Sequence, residues 1–344
     1  MPVLIRELLF AIGKKLVEDG DSVDVIKIAL SGKQTLQAMK NVFASVSTLE
    51  ICKKFCAIGW GDPCCEFGFR NDKLYFKFLM HCIGNCVTDL RVNCSTFAES
   101  HQTVFHPIFN KMLVRRQLLS FSLLVDGYAV RKFFGEFLVN FSSTLKNIKI
   151  PSAFLTRTFR DSFNLDSLNV LDSGNNNLLL FCCKTTSLTY GGPLPLPVFD
   201  RFITKNLQFS TPLFSLKKLI FGPQYLFSQH LVDVRYGRLR DFMKYFPELE
   251  YVKFRNGLYH GVYHLIRFYT EVLNETIKAP PKVFLEFFKY NRYMKCPTLD
   301  SYKGDYIDNT FEYDEKVSDF FCFRKNVQIA GSEATVFEVL FPNE

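Results

Sequence analysis

Several features that decide the class of a protein are scarce in this sequence. Its 344 residues include 18 glycines, 14 prolines and one tryptophan, too little Gly and Pro for a collagen-like or linker-dominated chain. The longest uncharged run, 185–199, has 15 residues and three prolines, so it is too short and too broken to span a bilayer. Arg6 and Glu7 interrupt the first apolar stretch, which a secretory signal peptide does not tolerate. We therefore expect a folded protein of the cytoplasm or nucleus with no membrane partner.

Phenylalanine is abundant, and cysteine is clustered. The 38 Phe residues are spread over the whole chain, which favours many short apolar segments over one compact site. Seven of the eleven cysteines fall between Cys52 and Cys94, but no Cys-x-x-Cys pair occurs among them. Core packing of reduced thiols is the expected role, with a zinc site as the alternative.

The apolar periodicity predicts a three-helix module over residues 1–45 and short strands after Thr48. One pattern recurs along the chain, an apolar residue followed by apolar residues three and five positions later. Its copies lie roughly 20 to 33 residues apart, apart from one longer gap in which 206–209 is the candidate for a skipped copy. The copies are Val87-Leu90-Val92, Leu118-Phe121-Leu123, Leu145-Ile148-Ile150, Leu165-Leu168-Val170, Leu216-Leu219-Phe221 and Leu249-Val252-Phe254.

Helical periodicity fills several of the intervals between these strands. Apolar residues recur every three or four positions over 130–141, 239–246 and 262–273. Strand plus helix in each unit predicts an α/β solenoid over 46–278. The remaining segment, 279–344, contains two further predicted strands, FFCFRKN and TVFEVLF, and is expected to cap the solenoid.

The N-terminal stretch resembles an F-box, the three-helix module by which substrate receptors dock on the Skp-type adaptor of cullin-based ubiquitin ligases. RELLFAIGKKL has the family's Glu-Leu-Leu-x-x-Ile-x-x-x-Leu spacing, and IALSGK is similar to its second half, although the family's closing tryptophan is missing. The resemblance implies a docking surface, as opposed to an ordinary amphipathic helix that caps a solenoid. The implied adaptor-binding residues are Leu8, Leu9, Ile12, Leu16, Ile28 and Leu30.

The middle of the chain is similar to the divergent leucine-rich repeats that follow F-boxes in the large nematode F-box families. The resemblance implies a non-catalytic substrate-recognition subunit of a cullin-type ubiquitin ligase, which binds an unknown target protein through the solenoid. The alternative is a repeat-type protein-interaction module without a ligase role.

Charge is distributed unevenly along the chain. Residues 106–160 contain nine basic and two acidic residues, a net charge of +7, and residues 300–319 have a net charge of −5. Arg115, Arg116, Lys146 and Lys149 are the predicted partner-binding residues. The two arginines come just before one predicted strand and the two lysines lie in the next, so we expect them on adjacent units, where they would meet an acidic protein, with 305–315 as an internal candidate. We do not expect nucleic acid as the partner, because no recognised reading motif accompanies the basic band, and a plain solvated surface is the other alternative.

No motif predicts catalysis. His260 and His264 have the four-residue spacing of a zinc-hydrolase pair, but Gly261 stands where the water-activating Glu belongs. LSGKQT lacks the first glycine and the hydroxyl of a phosphate loop. The sequence therefore predicts no enzyme, no catalytic or metal-binding residues and no cofactor.

Overall fold

The computed structural model describes most of the chain and divides it into two units, 1–164 and 165–344. The residues that it describes are 5–69, 74–95, 99–155, 162–171, 184–191, 215–224, 246, 248–258, 262–275, 279–289, 298–314, 320–329 and 334–343.

The predicted three-helix module is confirmed. It consists of α1 (Arg6–Glu18), α2 (Ser22–Leu30) and α3 (Lys33–Ala44). The Asp21 side chain caps α2 by accepting the N–H groups of Val23 and Asp24 at 2.9 and 3.1 Å. A β-carbon at Gly13 would meet the Met39 sulfur at 2.6 Å, so the glycine allows α1 and α3 to pack closely.

A single tryptophan ties this module to the strands that follow. The indole Nε1 of Trp60 donates a hydrogen bond of 2.9 Å to the Ser45 carbonyl at the end of α3, and the Lys14 ammonium lies 5.0 Å from the centre of the Trp60 ring. The strands therefore cover part of the helical module, as expected for three short helices that bury little surface among themselves.

Strands and helices alternate in the rest of unit 1, and its strand order is β6-β5-β4-β1-β2-β3. Strands β1, β4, β5 and β6 are parallel, and the hairpin strands β2 and β3 pair antiparallel at one end. The elements are β1 (Thr48–Cys52), β2 (Phe55–Trp60), β3 (Asp62–Gly68), α4 (Leu74–Met80), β4 (Asp89–Asn93), α5 (Glu99–Arg115), β5 (Ser120–Leu123), α6 (Tyr128–Val139), β6 (Asn147–Ile150) and a 3-10 turn (Ser152–Phe154).

The described residues of unit 2 form eight strands in the order β12-β13-β14-β11-β10-β9-β8-β7. Strands β8, β9, β10, β11 and β14 are parallel, and β13 lies antiparallel between β12 and β14. The elements are β7 (Asn164–Val170), β8 (Lys184–Tyr190), β9 (Lys218–Gln224), β10 (Tyr251–Gly257), α7 (Val262–Glu275), β11 (Lys282–Phe288), α8 (Leu299–Ser301), a π-helical turn (Tyr302–Tyr306), β12 (Glu312–Asp314), β13 (Phe320–Val327) and β14 (Thr335–Pro342).

All six predicted strands form, and the middle residues of five of them pair in register with a neighbouring strand. In unit 1 Leu90 is the Cα partner of Phe121, and Phe121 is the partner of Ile148. In unit 2 Leu219 pairs with Val252. The middle and third residues of the pattern are buried throughout, so they form a continuous apolar ladder on one face of each sheet. We call these rows the core ladders.

The ladders include strands that the sequence pattern missed. Leu49 pairs with Leu90 in unit 1, and Val283 pairs with Val252 in unit 2. Strand β8 lies between β7 and β9, where Leu188 pairs with Leu219. It is the missing copy in the long gap, and the polar Thr185 at its first position explains why an apolar pattern overlooked it. The candidate at 206–209 lies outside the described residues.

The predicted helices and the predicted C-terminal strands are confirmed where the structure describes them. Helices α6 and α7 confirm the periodicity over 130–141 and 262–273, whereas nearly all of 239–246 lies outside the described residues. The two C-terminal strands are confirmed as the antiparallel pair β13 and β14. Each unit is thus mixed α/β with an open sheet, and one solenoid over 46–278 stays a prediction.

Replacing Leu188 with Ala tests the assignment of β8 to the core ladder. Because Leu188 is buried between two ladder neighbours, we expect Leu188→Ala to lower the free energy of unfolding by about 2 to 4 kcal/mol. The exposed Thr186 of the same strand is the control, and we expect Thr186→Ala to change the free energy of unfolding by no more than about 0.5 kcal/mol. Urea denaturation of both variants measures the difference. Equal effects would contradict the assignment.

Candidate interaction surfaces

The outer face of α1 carries apolar side chains in contact with water. Leu8 and Ile12 keep 49% and 39% of their surface exposed, and Ile5, one turn earlier, is exposed as well. The spacing of three and four residues places all three on one side of the helix. We call Ile5, Leu8 and Ile12 the outer stripe.

The helix packs through a different line of residues. Leu9, Gly13 and Val17, spaced four apart, are the buried residues of α1. The residues that the resemblance to an F-box assigns to one docking surface therefore differ in their exposure to solvent. Of the six implied docking residues, Leu8, Ile12 and Leu30 are exposed, Leu16 and Ile28 are half-buried, and Leu9 is buried.

A cleft opens beside the first turns of α1 and α3. Its volume is about 620 Å³. Arg6 and Lys33 contribute cationic groups, and Leu9 and Ala38 contribute the apolar part of the wall. The other lining residues are Gln34, Gln37 and Asn41. The cleft is therefore polar and basic, in contrast to the outer stripe.

The sheet of unit 1 carries polar residues on the face opposite its core ladder. Glu50, Arg91, Ser122 and Lys149 pair in register across β1, β4, β5 and β6, so they form one row across the sheet. The Arg91 guanidinium lies 2.9 Å from a carboxylate oxygen of Asp89 and 3.3 Å from one of Asp62. These ion pairs fix the Arg91 side chain against the surface of the sheet.

The corresponding face of unit 2 carries an aromatic pair and buried carboxylates. The rings of Tyr251 and Phe284 stack at 4.6 Å on adjacent strands. Glu286 binds the Lys253 ammonium and lies 2.7 Å from the Arg255 guanidinium. Burial raises the pKa of the Tyr251 phenol to about 12, and the carboxylates of Glu286 and Glu338 act in the same direction.

A second ion-pair group lies on the antiparallel strands of unit 2. The Arg324 guanidinium is 2.7 Å from Glu338 and 3.1 Å from Asp314, and the Glu338 side chain is largely buried. Removing one partner of such a group leaves a charge without its counterion in a poorly solvated place, so these residues are expected to hold the strands in register.

Sequence reasoning missed both groups, although a signal was present. Arg255 and Glu286 occupy adjacent register positions on β10 and β11. The pattern Pro280-Val283-Leu285 has the same spacing as Leu249-Val252-Phe254, and superposing the two copies would have placed Arg255 beside Glu286. The prediction of a cap over 279–344 places this copy outside the repeats, so it does not predict the pairing.

The four predicted partner-binding residues fall in two places. Lys149 lies in β6 on the polar face, in register with Ser122. Arg115 ends α5, Arg116 lies in the turn that follows, and Lys146 lies in the turn before β6. Arg115 and Arg116 thus precede β5 as expected, whereas Lys146 precedes β6 and does not lie within it. That these four residues bind a partner stays a prediction.

The acidic segment that was the internal candidate lies in the other unit. Its Asp314 pairs with Arg324 inside unit 2, and Glu315 lies outside the described residues.

The early cysteines divide into buried and exposed groups. Core packing holds for Cys52, Cys56, Cys65 and Cys94, and it is wrong for Cys64 and Cys86, which are exposed. Burial raises the pKa of the Cys52 and Cys65 thiols to about 12 and that of Cys94 to about 11. Within the described ranges no group of three or more His, Cys, Asp or Glu side chains is arranged to hold a metal ion.

The residues of the two incomplete motifs lie on or beside helices where the structure describes them. His264 is exposed on α7 and contacts the Tyr263 ring at 5.8 Å, and His260 lies outside the described residues. Leu30 and Lys33 of LSGKQT belong to the end of α2 and the start of α3. None of the helices in the described residues is long and apolar enough to cross a bilayer.

Comparison with known proteins gives no match: no family model, no curated protein and no solved structure matches the chain.

Thiol labelling tests the division of the cysteines. We expect iodoacetamide at about pH 8 to modify Cys64 and Cys86 well before Cys52, Cys65 and Cys94, because a thiol whose pKa is 11 or 12 supplies almost no thiolate there. Mass spectrometry of the digested protein measures each rate, with denatured protein as the control. Rapid labelling of Cys52 and Cys65, or an acceleration by a zinc chelator, would contradict core packing.

Proposed function

We propose that the chain is a non-catalytic substrate receptor of a cullin-type ubiquitin ligase. In this proposal the three-helix module docks on a Skp-type adaptor, and the strand region that follows binds a target protein. The observation that carries the proposal is the outer stripe of α1, an exposed apolar surface on a module that already has its own buried packing line.

The outer stripe has the properties of a docking surface. Leu8 and Ile12 stay exposed, whereas Leu9, Gly13 and Val17 are the buried residues through which the helix packs. Covering each of them in a complex would contribute about 1 kcal/mol from apolar area alone. Lys15, three residues after Ile12 on α1, lies 2.9 Å from Asp19, so its charge has a counterion within the module. Covering the stripe does not require this ion pair to break.

The polar faces of the two sheets support a role in target binding. In-register strands present side chains about 4.8 Å apart, which is a regular surface for recognising another chain. The row in unit 1 mixes Glu50, Arg91 and Lys149, and the face of unit 2 adds the Tyr251 and Phe284 rings. A leucine-rich-repeat-like solenoid is the architecture that we propose for these strands, and the core ladders support it.

The second candidate function is a protein-interaction module without a ligase role. The burial of Leu9 favours this alternative, because the resemblance to an F-box assigns that residue to the adaptor surface. An amphipathic helix that covers the end of a sheet would also bury one line of residues and expose its neighbours.

Charge insertion into the outer stripe separates the two candidates. We expect Leu8→Asp with Ile12→Asp to reduce capture of a purified Skp-type adaptor by at least about 100-fold, because an interface core does not accept an uncompensated carboxylate. The side chains are exposed, so the thermal unfolding temperature should change little. Surface plasmon resonance against the immobilised adaptor measures the capture.

A matched variant controls for charge and exposure. Val125 and Val139 are 37% and 38% exposed in unit 1 outside the three-helix module, and their double change to Asp adds the same charge. It should leave capture unchanged. If the unaltered chain does not bind the adaptor at micromolar concentration, the ligase role is wrong and the plain interaction module replaces it.

A further inference from the structure

The turns that lead into β4, β5 and β6 lie side by side along one edge of unit 1. The Thr88 carbonyl accepts the N–H of Leu119 at 2.8 Å, and the Leu119 carbonyl accepts the N–H of Lys146 at 2.9 Å. The Thr144 hydroxyl adds a hydrogen bond of 2.9 Å to the Leu118 carbonyl. Residues 113–119 and 142–147 are therefore fixed against each other, and we call them the strand-start edge.

The charge of the strand-start edge has one sign. Arg115, Arg116 and Lys146 lie on it, and neither of its segments contains an acidic residue. The preceding turn, 81–88, also lacks acidic residues. None of the three cations forms an ion pair with a residue that the structure describes. Arg115, Arg116 and Lys146 thus lie on two neighbouring turns, and none of them is paired with a carboxylate that the structure describes.

At the equivalent place in unit 2 the cation forms an ion pair. The Lys217 carbonyl accepts the N–H of Glu250 at 2.8 Å, so Lys217 and Glu250 hold the positions that Leu119 and Lys146 hold in unit 1. There the Lys217 ammonium lies 2.9 Å from the Glu250 carboxylate. The same backbone arrangement carries an internal ion pair in one unit and uncompensated cations in the other.

A neighbouring histidine responds to the positive surroundings. His81 begins the turn beside the strand-start edge, and the Lys111 ammonium binds its carbonyl oxygen. Burial lowers the pKa of the His81 imidazole, and the charges of Lys111 and Lys77 lower it further. Lys111 and Lys77 thus place further positive charge beside the turn 81–88.

Exposed apolar side chains flank the two arginines. Val114 is 81% exposed and Leu119 is 46% exposed, on either side of Arg115 and Arg116 in the sequence. A phosphate backbone offers charge but little to cover such side chains, whereas a peptide can offer both carboxylates and apolar groups. The combination therefore favours a protein segment over nucleic acid.

We infer that the strand-start edge of unit 1 binds an acidic peptide segment of a partner protein, with apolar side chains between its carboxylates. The segment's carboxylates pair with Arg115, Arg116 and Lys146, and its apolar groups cover Val114 and Leu119. The inference rests on the proposed role of the chain as a binding protein, and it does not depend on the adaptor or on the outer stripe.

Arg116 adds a separate argument. It has a φ of 48°, and it is the only described residue other than glycine with a positive φ. Glycine accepts this left-handed conformation at lower cost, so a side chain is kept at a position where it is conformationally unfavourable. A binding role for the guanidinium accounts for its presence.

Peptide titration with the full chain tests the inference. The probe is a fluorescent 12-residue peptide of repeated Glu-Glu-Leu, measured by anisotropy without adaptor. We expect Arg115→Glu, Arg116→Glu and Lys146→Glu together to weaken binding at least about tenfold at low salt, and the unaltered chain to lose affinity between roughly 50 and 200 mM salt. The control is Lys53→Glu, Lys54→Glu and Lys132→Glu, an equal charge change away from the edge, which should bind as the unaltered chain does.

Two further variants separate binding from folding. Arg116→Gly should raise the melting temperature and still weaken peptide binding, whereas a residue with only a structural role would not show opposite changes. Val114→Ser with Leu119→Ser should weaken binding of the Glu-Glu-Leu peptide and leave binding of a 12-residue poly-Glu peptide unchanged.

Several results would overturn the inference. They are the absence of peptide binding by the unaltered chain, an equal loss in the control variant, and tighter binding of a single-stranded oligonucleotide or of phosphatidylserine vesicles than of the peptide. Failure of adaptor capture alone would leave the inference standing, because the peptide titration contains no adaptor.

Discussion

The structure depends on the in-register stacking of apolar residues from one strand to the next. Leu219 of β9 lies between Leu188 and Val252, and Leu90 of β4 lies between Leu49 and Phe121. Each such residue contributes about 1.5 to 3 kcal/mol by leaving water. Since a shift of one residue would turn the buried set toward solvent, the ladders also fix the register of the strands.

Phenylalanine suits this arrangement, which accounts for its abundance. The rings of Phe221 and Phe254 stack at 5.4 Å on adjacent strands, and those of Phe287 and Phe341 stack at 5.0 Å. In unit 1 the Phe134 ring of α6 packs 5.3 Å from the ladder residue Phe121. Large side chains thus fill the space between helix and sheet, and they provide apolar area that short strands could not supply with smaller residues.

The face of each sheet opposite its core ladder does not have to be apolar. Alternation along a strand sends every second side chain away from the ladder, so charged and polar residues can vary there while the backbone stays fixed. The ion pairs of Glu286 in unit 2 and of Arg91 in unit 1 belong to this face. A repeated backbone with variable side chains is suited to recognition, which is the role proposed for the strand region.

Much of the fold could be predicted from local patterns, because the ladder imposes the same apolar spacing on each copy. The prediction failed where a copy substitutes a polar residue, as at Thr185, or where prolines suggest an interruption, as before Val283. The outer stripe was only partly predictable, since Leu8 and Leu9 both fit a helical period, and the close approach at Gly13 decides which is buried. The lack of ion pairs at Arg115, Arg116 and Lys146 could not be predicted, because it depends on which turns lie next to each other in the fold. Sequence spacing alone does not contain that information.

Hydroxyl-radical footprinting of the chain with and without a Skp-type adaptor is the direct test of docking through α1. The method reports the solvent contact of individual side chains in the unaltered protein. If the outer stripe docks on the adaptor, Leu8 and Ile12 lose modification when the adaptor is added, while Val125 and Val139 keep theirs. Unchanged modification of Leu8 and Ile12 at saturating adaptor would contradict it.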